Sequence, residues 1–245
     1  MTRSVLLNPV DHALLRVVTT RGTAWGDDAV SALVCPAEFR ALQAHYPIVF
    51  QRSDEGGVAS FQPMVLFGLA EGENLFASEQ GWDSHCLPLS VQRQPFMIGR
   101  SGPDGESLML HIDLDSPRLS LDQGEPLFDA HGGQSPYLEH ISQQLLMLHE
   151  GLQATPAFVQ ALLAHELLES FVLDVELNDG SQRRLAGYYT VDEERLAALP
   201  GPAVAALHAE GHLEAAYMVL ASVGRFRDLI ERQNRRLTQP LPFSF

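Results

Sequence analysis

HYPIVF (45–50), NLFASEQGW (74–82) and LPLSVQRQPFMI (87–98) bound a segment in which aromatic residues, prolines and glycines are denser than elsewhere in the chain. Residues 46–50 form an apolar, β-branched and aromatic run, and Ser53, Asp54, Gly56 and Gly57 after it spell a strand entering a hairpin-like turn. Residues 59–69 read as the returning strand. Pro63 lies inside that run and has no N–H to give a neighbour, which predicts an edge position or a bulge. Glu71, Gly72, Glu73 and Asn74 form the next turn, 75–77 a brief third strand, and Gly81 with Trp82 closes the meander. Residues 91–99 read as a further strand, entered through Pro88 and interrupted by Pro95. Residues 45–98 thus form a platform for the rest of the chain.

On the N-terminal side, the pattern predicts strands at 12–19 and 29–34 and a short helix at 36–44, whose Pro36 suits a first helical turn. On the C-terminal side, residues 107–114 alternate, with Leu108, Leu110, Ile112 and Leu114 on one face and Met109, His111 and Asp113 on the other. That strand should pair with 91–99 as a hairpin through the glycines between Gly99 and Gly105. Residues 116–136, with three prolines, read as a long irregular segment of solvated, acidic character.

Helices dominate the second half of the chain. Residues 137–151 place Leu138, Ile141, Leu145 and Leu148 at helical spacing and stop at a glycine. Residues 156–172 are apolar around most of their circumference, the mark of a buried helix, with a polar sector of His165, Glu166 and Glu169. Asn178, Asp179 and Gly180 mark a hairpin between 173–177 and 183–189. Short helices at 192–199 and 202–209 lead to a long one at 212–235, whose arginines concentrate near its end and complement the helix dipole. The fold class expected is α+β: an N-terminal antiparallel β-meander with helices mainly in the second half. The 245 residues read as a single domain (1–245), with a helical part at 137–236 and an extended apolar tail at 237–245.

Composition excludes several functions. The net charge is −15, from 16 basic and 31 acidic residues, a balance that disfavours nucleic acid and anionic membranes as partners. Every basic residue is arginine, so there is no P-loop lysine, no Schiff base and no kinase-type phosphate-pairing lysine. Neither GxGxxG nor GxSxG occurs. No stretch approaches the roughly 20 apolar residues of a spanning helix. Two cysteines, Cys35 and Cys86, and an N-terminus without an apolar run of signal-peptide length point to the cytoplasm. Both cysteines read as small core residues.

Two candidate sites emerge. Trp82, Arg93 and Phe96 of the platform are candidate binding residues for a protein or peptide partner. His111 and Asp113, two apart on one strand face, make the H-x-D half of a facial triad; with His165 or His208 as a distant third ligand they would hold Fe(II) in a non-haem oxygenase. The same two residues also fit the wet face of a half-buried strand. HELLE (165–169) resembles the first part of a zinc-protease HExxH with Glu169 in place of the second histidine.

The order and spacing of HYPIVF, GLAEGENLF (68–76), the 82–88 and 93–96 segments and SLDQGEPLF (120–128) resemble the SapC family of bacterial proteins over roughly residues 5–236. The permease that shares this name is a different, membrane-spanning protein. The chain departs from the family pattern at Cys86, where a tyrosine is usual, and at Gln94, where a second basic residue is usual. The resemblance implies a surface-associated or halogenase-linked bacterial setting and an accessory or binding role; no cofactor is expected, with Fe(II) as the cofactor of the oxygenase alternative.

Overall fold

The computed structural model describes residues 3–54, 59–101 and 107–238. In chain order its strands are β1 (Ser4–Leu6), β2 (Arg16–Val17), β3 (Ser31–Leu33), β4 (Ile48–Ser53), β5 (Ser60–Leu66), β6 (Ala77–Ser78), β7 (Gly81–Trp82), β8 (Phe96–Ser101), β9 (Ser107–Asp113), β10 (Leu119–Ser120), β11 (Glu125–Pro126), β12 (Leu168–Glu176) and β13 (Gln182–Val191). Its helices are α1 (Phe39–Leu42), α2 (Leu89–Gln92), α3 (Pro136–Ala164), α4 (Glu193–Ala197), α5 (Gly201–Ala209), α6 (His212–Ser222) and α7 (Arg225–Thr238). The paired strands run antiparallel and the long helices follow residue 135, so the class is α+β as expected. Residues 55–58 and 102–106, in two predicted turns, and 239–245 of the apolar tail lie outside the described residues.

The described residues group into two compact units, and residues 45–98 contribute to both. The first unit draws on Met1–Asp28, Ala77–Asp83 and Leu89–Glu150. It holds two three-stranded sheets, ordered β1-β9-β8 and β10-β2-β11, and the small β6-β7 hairpin. The predicted pairing of β8 with β9 is present, with Phe96 opposite Ile112 and Gly99 opposite Met109. Phe96 and Ile112 are fully buried with Val17 and Leu127 against Leu138, Ile141 and Leu145 of α3. Those helix positions are three and four apart, so one face of α3 covers the sheet.

Residues 91–99 are not one strand. Leu89–Gln92 forms one helical turn, a cis Gln94–Pro95 peptide follows, and the strand starts only at Phe96. Residues 116–136 are also less irregular than expected. Their two-residue strands β10 and β11 clamp β2 from either side, and a Cβ at Gly124 would lie 2.2 Å from the Val17 carbonyl oxygen.

The second unit draws on the described parts of Ala29–Phe76, Ser84–Pro88 and Gly151–Phe245. Its sheet has the order β12-β13-β4-β5-β3, so the hairpin formed by β4 and β5 is extended by the later hairpin of β12 and β13. Tyr188 and Tyr189 pair with Gln51 and Phe50. Phe158 of α3 meets Phe39 edge-on and lies beside Phe50, and Tyr46 packs against Phe67 and Phe76. Pro63 is internal, opposite Phe50, rather than on an edge strand. Its missing N–H still has a visible effect. Val34 donates to the Pro63 carbonyl at 3.1 Å, Pro63 cannot donate back, and the pairing of β3 ends one residue earlier, at Leu33 opposite Met64.

Three helix boundaries differ from the pattern-based expectation. α3 runs unbroken through Gly151 and Pro156. Gly151 does not end a helix; a Cβ there would lie 2.3 Å from Cys35 Sγ, so the glycine lets the two segments touch. The Thr155 hydroxyl donates to the Gly151 carbonyl at 2.8 Å just before the proline. The predicted 212–235 helix is two helices, separated by Val223 and Gly224. The last turn of α6 is anchored there by the buried Ser222 hydroxyl, which accepts from Ile48 N at 2.9 Å and donates to Val219 O at 2.6 Å.

α3 ends at Ala164, well before residue 172. Leu167 N donates to Leu162 O at 2.8 Å and Glu166 N to Leu163 O at 3.0 Å, the two bonds of a Schellman motif, with Glu166 left-handed at φ 53°. Leu162 and Leu167 are both fully buried, supplying the apolar contact that goes with that motif. Glu166 also ion-pairs with Arg195 across an exposed surface, an interaction worth little. Glu166→Gly is therefore expected to be at least as stable as the native protein. It should exceed Glu166→Ala by about 1 kcal/mol, because both variants lose the pair and only alanine keeps the left-handed strain. Thermal unfolding of the three proteins checks this order; equal stability of the glycine and alanine variants would contradict it.

Candidate functional site

In the first unit a buried carboxylate organises the segment that carries two of the predicted binding residues. Asp27 is buried, and so is Arg118, which is 1% exposed. Arg118 Nη2 donates to Asp27 Oδ2 at 2.7 Å, and Arg118 Nη1 donates to the carbonyls of Thr20 at 2.8 Å and Val18 at 3.3 Å. Gly22 N donates to Asp27 Oδ2 at 2.8 Å, and Arg21 Nη1 reaches Asp27 Oδ1 at 3.5 Å. One acid thus faces two guanidinium groups. Burial lowers the pKa of Arg21, the Arg118 charge lowers it further, and Asp27 opposes both. Burial pushes the Tyr137 hydroxyl up to about 12 even though Arg21 and Arg118 pull the other way.

This network reaches both candidate residues. A Cβ at Gly22 would lie 2.4 Å from the Ser78 carbonyl oxygen, so the β6-β7 hairpin bearing Trp82 rests directly on the Gly22 backbone. Gly22 has φ 143°, and a side chain there meets both the carbonyl and an unfavourable conformation. On the other side Arg21 Nη2 donates to Gln92 O at 3.0 Å, fixing the last residue of α2. The Gln92 side chain accepts from Gln144 Nε2 at 2.6 Å, and Gln144 lies 3.1 Å from His140 Nε2 on the same helix.

Arg93 follows directly. Its Nη1 donates to the carbonyl of Phe96 while Phe96 N donates to Arg93 O at 2.7 Å, so the residue closes the cis-proline turn with its side chain and its backbone. Its pKa is lowered by burial. Among the described residues no carboxylate pairs with it. A guanidinium that has lost much of its water without gaining a counter-ion is electrostatically suited to a carboxylate, which it can hold through two parallel hydrogen bonds. Trp82 keeps part of its surface, whereas Phe96 is fully buried in the core.

His111 and Asp113 both lie on β9. The His111 ring lies against Gly99, where a Cβ would come within 2.6 Å of Nε2, and that nitrogen is buried without a hydrogen bond. Asp113 Oδ1 accepts from Asp115 N at 3.1 Å. His165 lies just past the end of α3, in the second unit. Among the described residues no three His, Cys, Asp or Glu side chains gather as a metal-ligand set. The HELLE residues do not share a helical face, because the chain leaves the helix before Glu166 and Glu169 belongs to β12.

Neither thiol is activated. Burial and then Glu38 push Cys35 up to about 12, and the same two causes raise Cys86. In α7, Arg225 pairs with Asp228, Arg227 with Glu231, and the Arg232 guanidinium lies 4.1 Å from the centroid of the Phe76 ring. Sequence reasoning found Arg93 through its motif. It missed Asp27, Arg21 and Arg118, whose 91-residue separation from Asp27 leaves no local signal.

A family model described as SapC matches residues 7–229, a span that runs through both units. No curated protein and no solved structure matches the chain.

Proposed function

The chain belongs to the SapC family, and from that membership we propose a cytoplasmic accessory protein that engages a protein or peptide partner in a surface-associated or halogenase-linked bacterial system. The observation that supports binding is Arg93. It is a desolvated guanidinium without a carboxylate among the described residues, held in a turn that the Asp27 network braces through Arg21 and Gln92. In this reading Arg93 supplies an anchoring charge for an acidic group of the partner, and Trp82, on a hairpin braced by the same network, supplies an aromatic surface. Phe96 contributes by supporting the turn from beneath.

The test is partner capture from a bacterial extract with the full chain as bait. Arg93→Ala and Trp82→Ala variants that keep the native thermal transition should each lose about tenfold or more of the captured partner, since a charge-assisted hydrogen bond contributes about 1.5–3 kcal/mol and burial of a large aromatic side chain a comparable amount. Arg93→Lys should recover little, because an ammonium cannot reproduce a two-pronged contact. Undiminished capture by folded variants would overturn the assignment.

A further inference from the structure

The five-stranded sheet of the second unit ends differently on its two sides. β3 pairs over three residues and stops beside Pro63, whereas β12 runs for nine residues, and no described strand pairs with its outer side. Two bonds fix which backbone groups of β12 face outward. Asp192 N donates to Leu167 O at 2.9 Å and Leu177 N to Ser181 O at 2.8 Å, so odd-numbered residues face β13 at both ends of the strand. The irregularity between them lies on β13, where Ala186 and Gly187 stand opposite Val172 and Gly187 takes φ 85°. Alternation therefore leaves the N–H and C=O groups of Ser170, Val172, Asp174 and Glu176 directed away from the sheet.

The side chains of this edge select what can pair with it. All four of those residues are exposed, and Val172, 52% open to water, is an apolar β-branched residue near the centre of the strand. β12 carries Glu169, Asp174 and Glu176 and no basic residue. Asp174 pairs with Arg184 at 3.4 Å, while Glu169 and Glu176 have no ion pair among the described residues. A second copy paired antiparallel at this edge would bring acids together, which is unfavourable. An extended strand with alternating basic and apolar residues would lay the former beside Asp174 and Glu176 on the exposed face and the latter beside Phe171, Leu173 and Val175 on the opposite face.

We propose that β12 is a docking edge for an extended cationic segment of a partner protein or peptide, added to the sheet as a sixth strand by backbone hydrogen bonds. The site belongs to the second unit alone and stands whether or not the Arg93 assignment holds.

Hydrogen exchange on the full chain tests it, with a nine-residue peptide alternating lysine and valine as probe and the same peptide with glutamate for lysine as its counterpart. The lysine peptide should slow exchange of the outward amides of 170–176 at least tenfold, and the glutamate peptide should not. Val172→Pro removes the central outward N–H and no bond to β13, so it should weaken binding at least tenfold. The folded pair substitution Asp174→Lys with Glu176→Lys, on the one exposed face, should move preference towards the glutamate peptide. Equal protection by both peptides, undiminished binding by the proline variant, or no protection at 170–176 would overturn the proposal. So would protection that depends only on protein concentration, because that would assign the edge to a second copy.

Discussion

Asp27→Ala is expected to lower the unfolding free energy by about 3–5 kcal/mol, the largest effect of any single substitution considered for this chain. Arg118 is 1% exposed, and Asp27 is the carboxylate that faces it at 2.7 Å. Removing the acid leaves a guanidinium charge in a dry site whose remaining partners are the carbonyls of Val18 and Thr20. Gly22 N loses its acceptor in the same step. Removing both charges, as in Asp27→Asn with Arg118→Met, should cost less than Asp27→Ala alone, because the fully buried Arg118 charge is gone and only Arg21, which keeps some exposure and its bond to Gln92 O, is left without its acid. Urea unfolding of the three proteins measures this. A loss under about 1 kcal/mol for Asp27→Ala would mean that Arg118 regains water or another partner, and the bracing role assigned to Asp27 would fall.

Gly151→Ala should destabilise by about 1–3 kcal/mol, against the direction that helix propensity dictates. At a solvent-facing helix position this change would favour folding by up to about 1 kcal/mol. Here the new methyl would lie 2.3 Å from Cys35 Sγ and 3.0 Å from Cys35 Cβ. The cysteine has little freedom to move, since its backbone N–H and its thiol both donate to Glu38 Oε2. The Cys35→Ala, Gly151→Ala double variant removes the closer contact and should be more stable than Gly151→Ala alone. A stabilised Gly151→Ala protein would show that the close approach relaxes at no cost.

Much of the local structure was legible in the residue pattern. Asn178, Asp179 and Gly180 do form the turn between β12 and β13, with Gly180 at φ 80° and Asp179 Oδ1 accepting from Ser181. Leu138, Ile141, Leu145 and Leu148 do line one buried face of α3. These features are local, and turn chemistry or periodicity over a few residues is enough to specify them. The Arg93 turn was legible only in part: its motif drew attention to it, but reading 91–99 as one strand hid the helical turn and the cis peptide.

Composition and spacing established the α+β class, the family and the exclusion of lysine-dependent chemistry, because each is carried by residue types and their near neighbours along the chain. Gly151 as a packing glycine, Pro63 inside a sheet, the end of α3 at Ala164 and the pairing of Asp27 with Arg118 were set by contacts between distant segments. Helix and turn preferences amount to about 1 kcal/mol or less per residue, while burying an apolar side chain or an ion pair involves several. Where the two disagree, the contact prevails, and α3 continues through a glycine and a proline that local preference alone would have made its end.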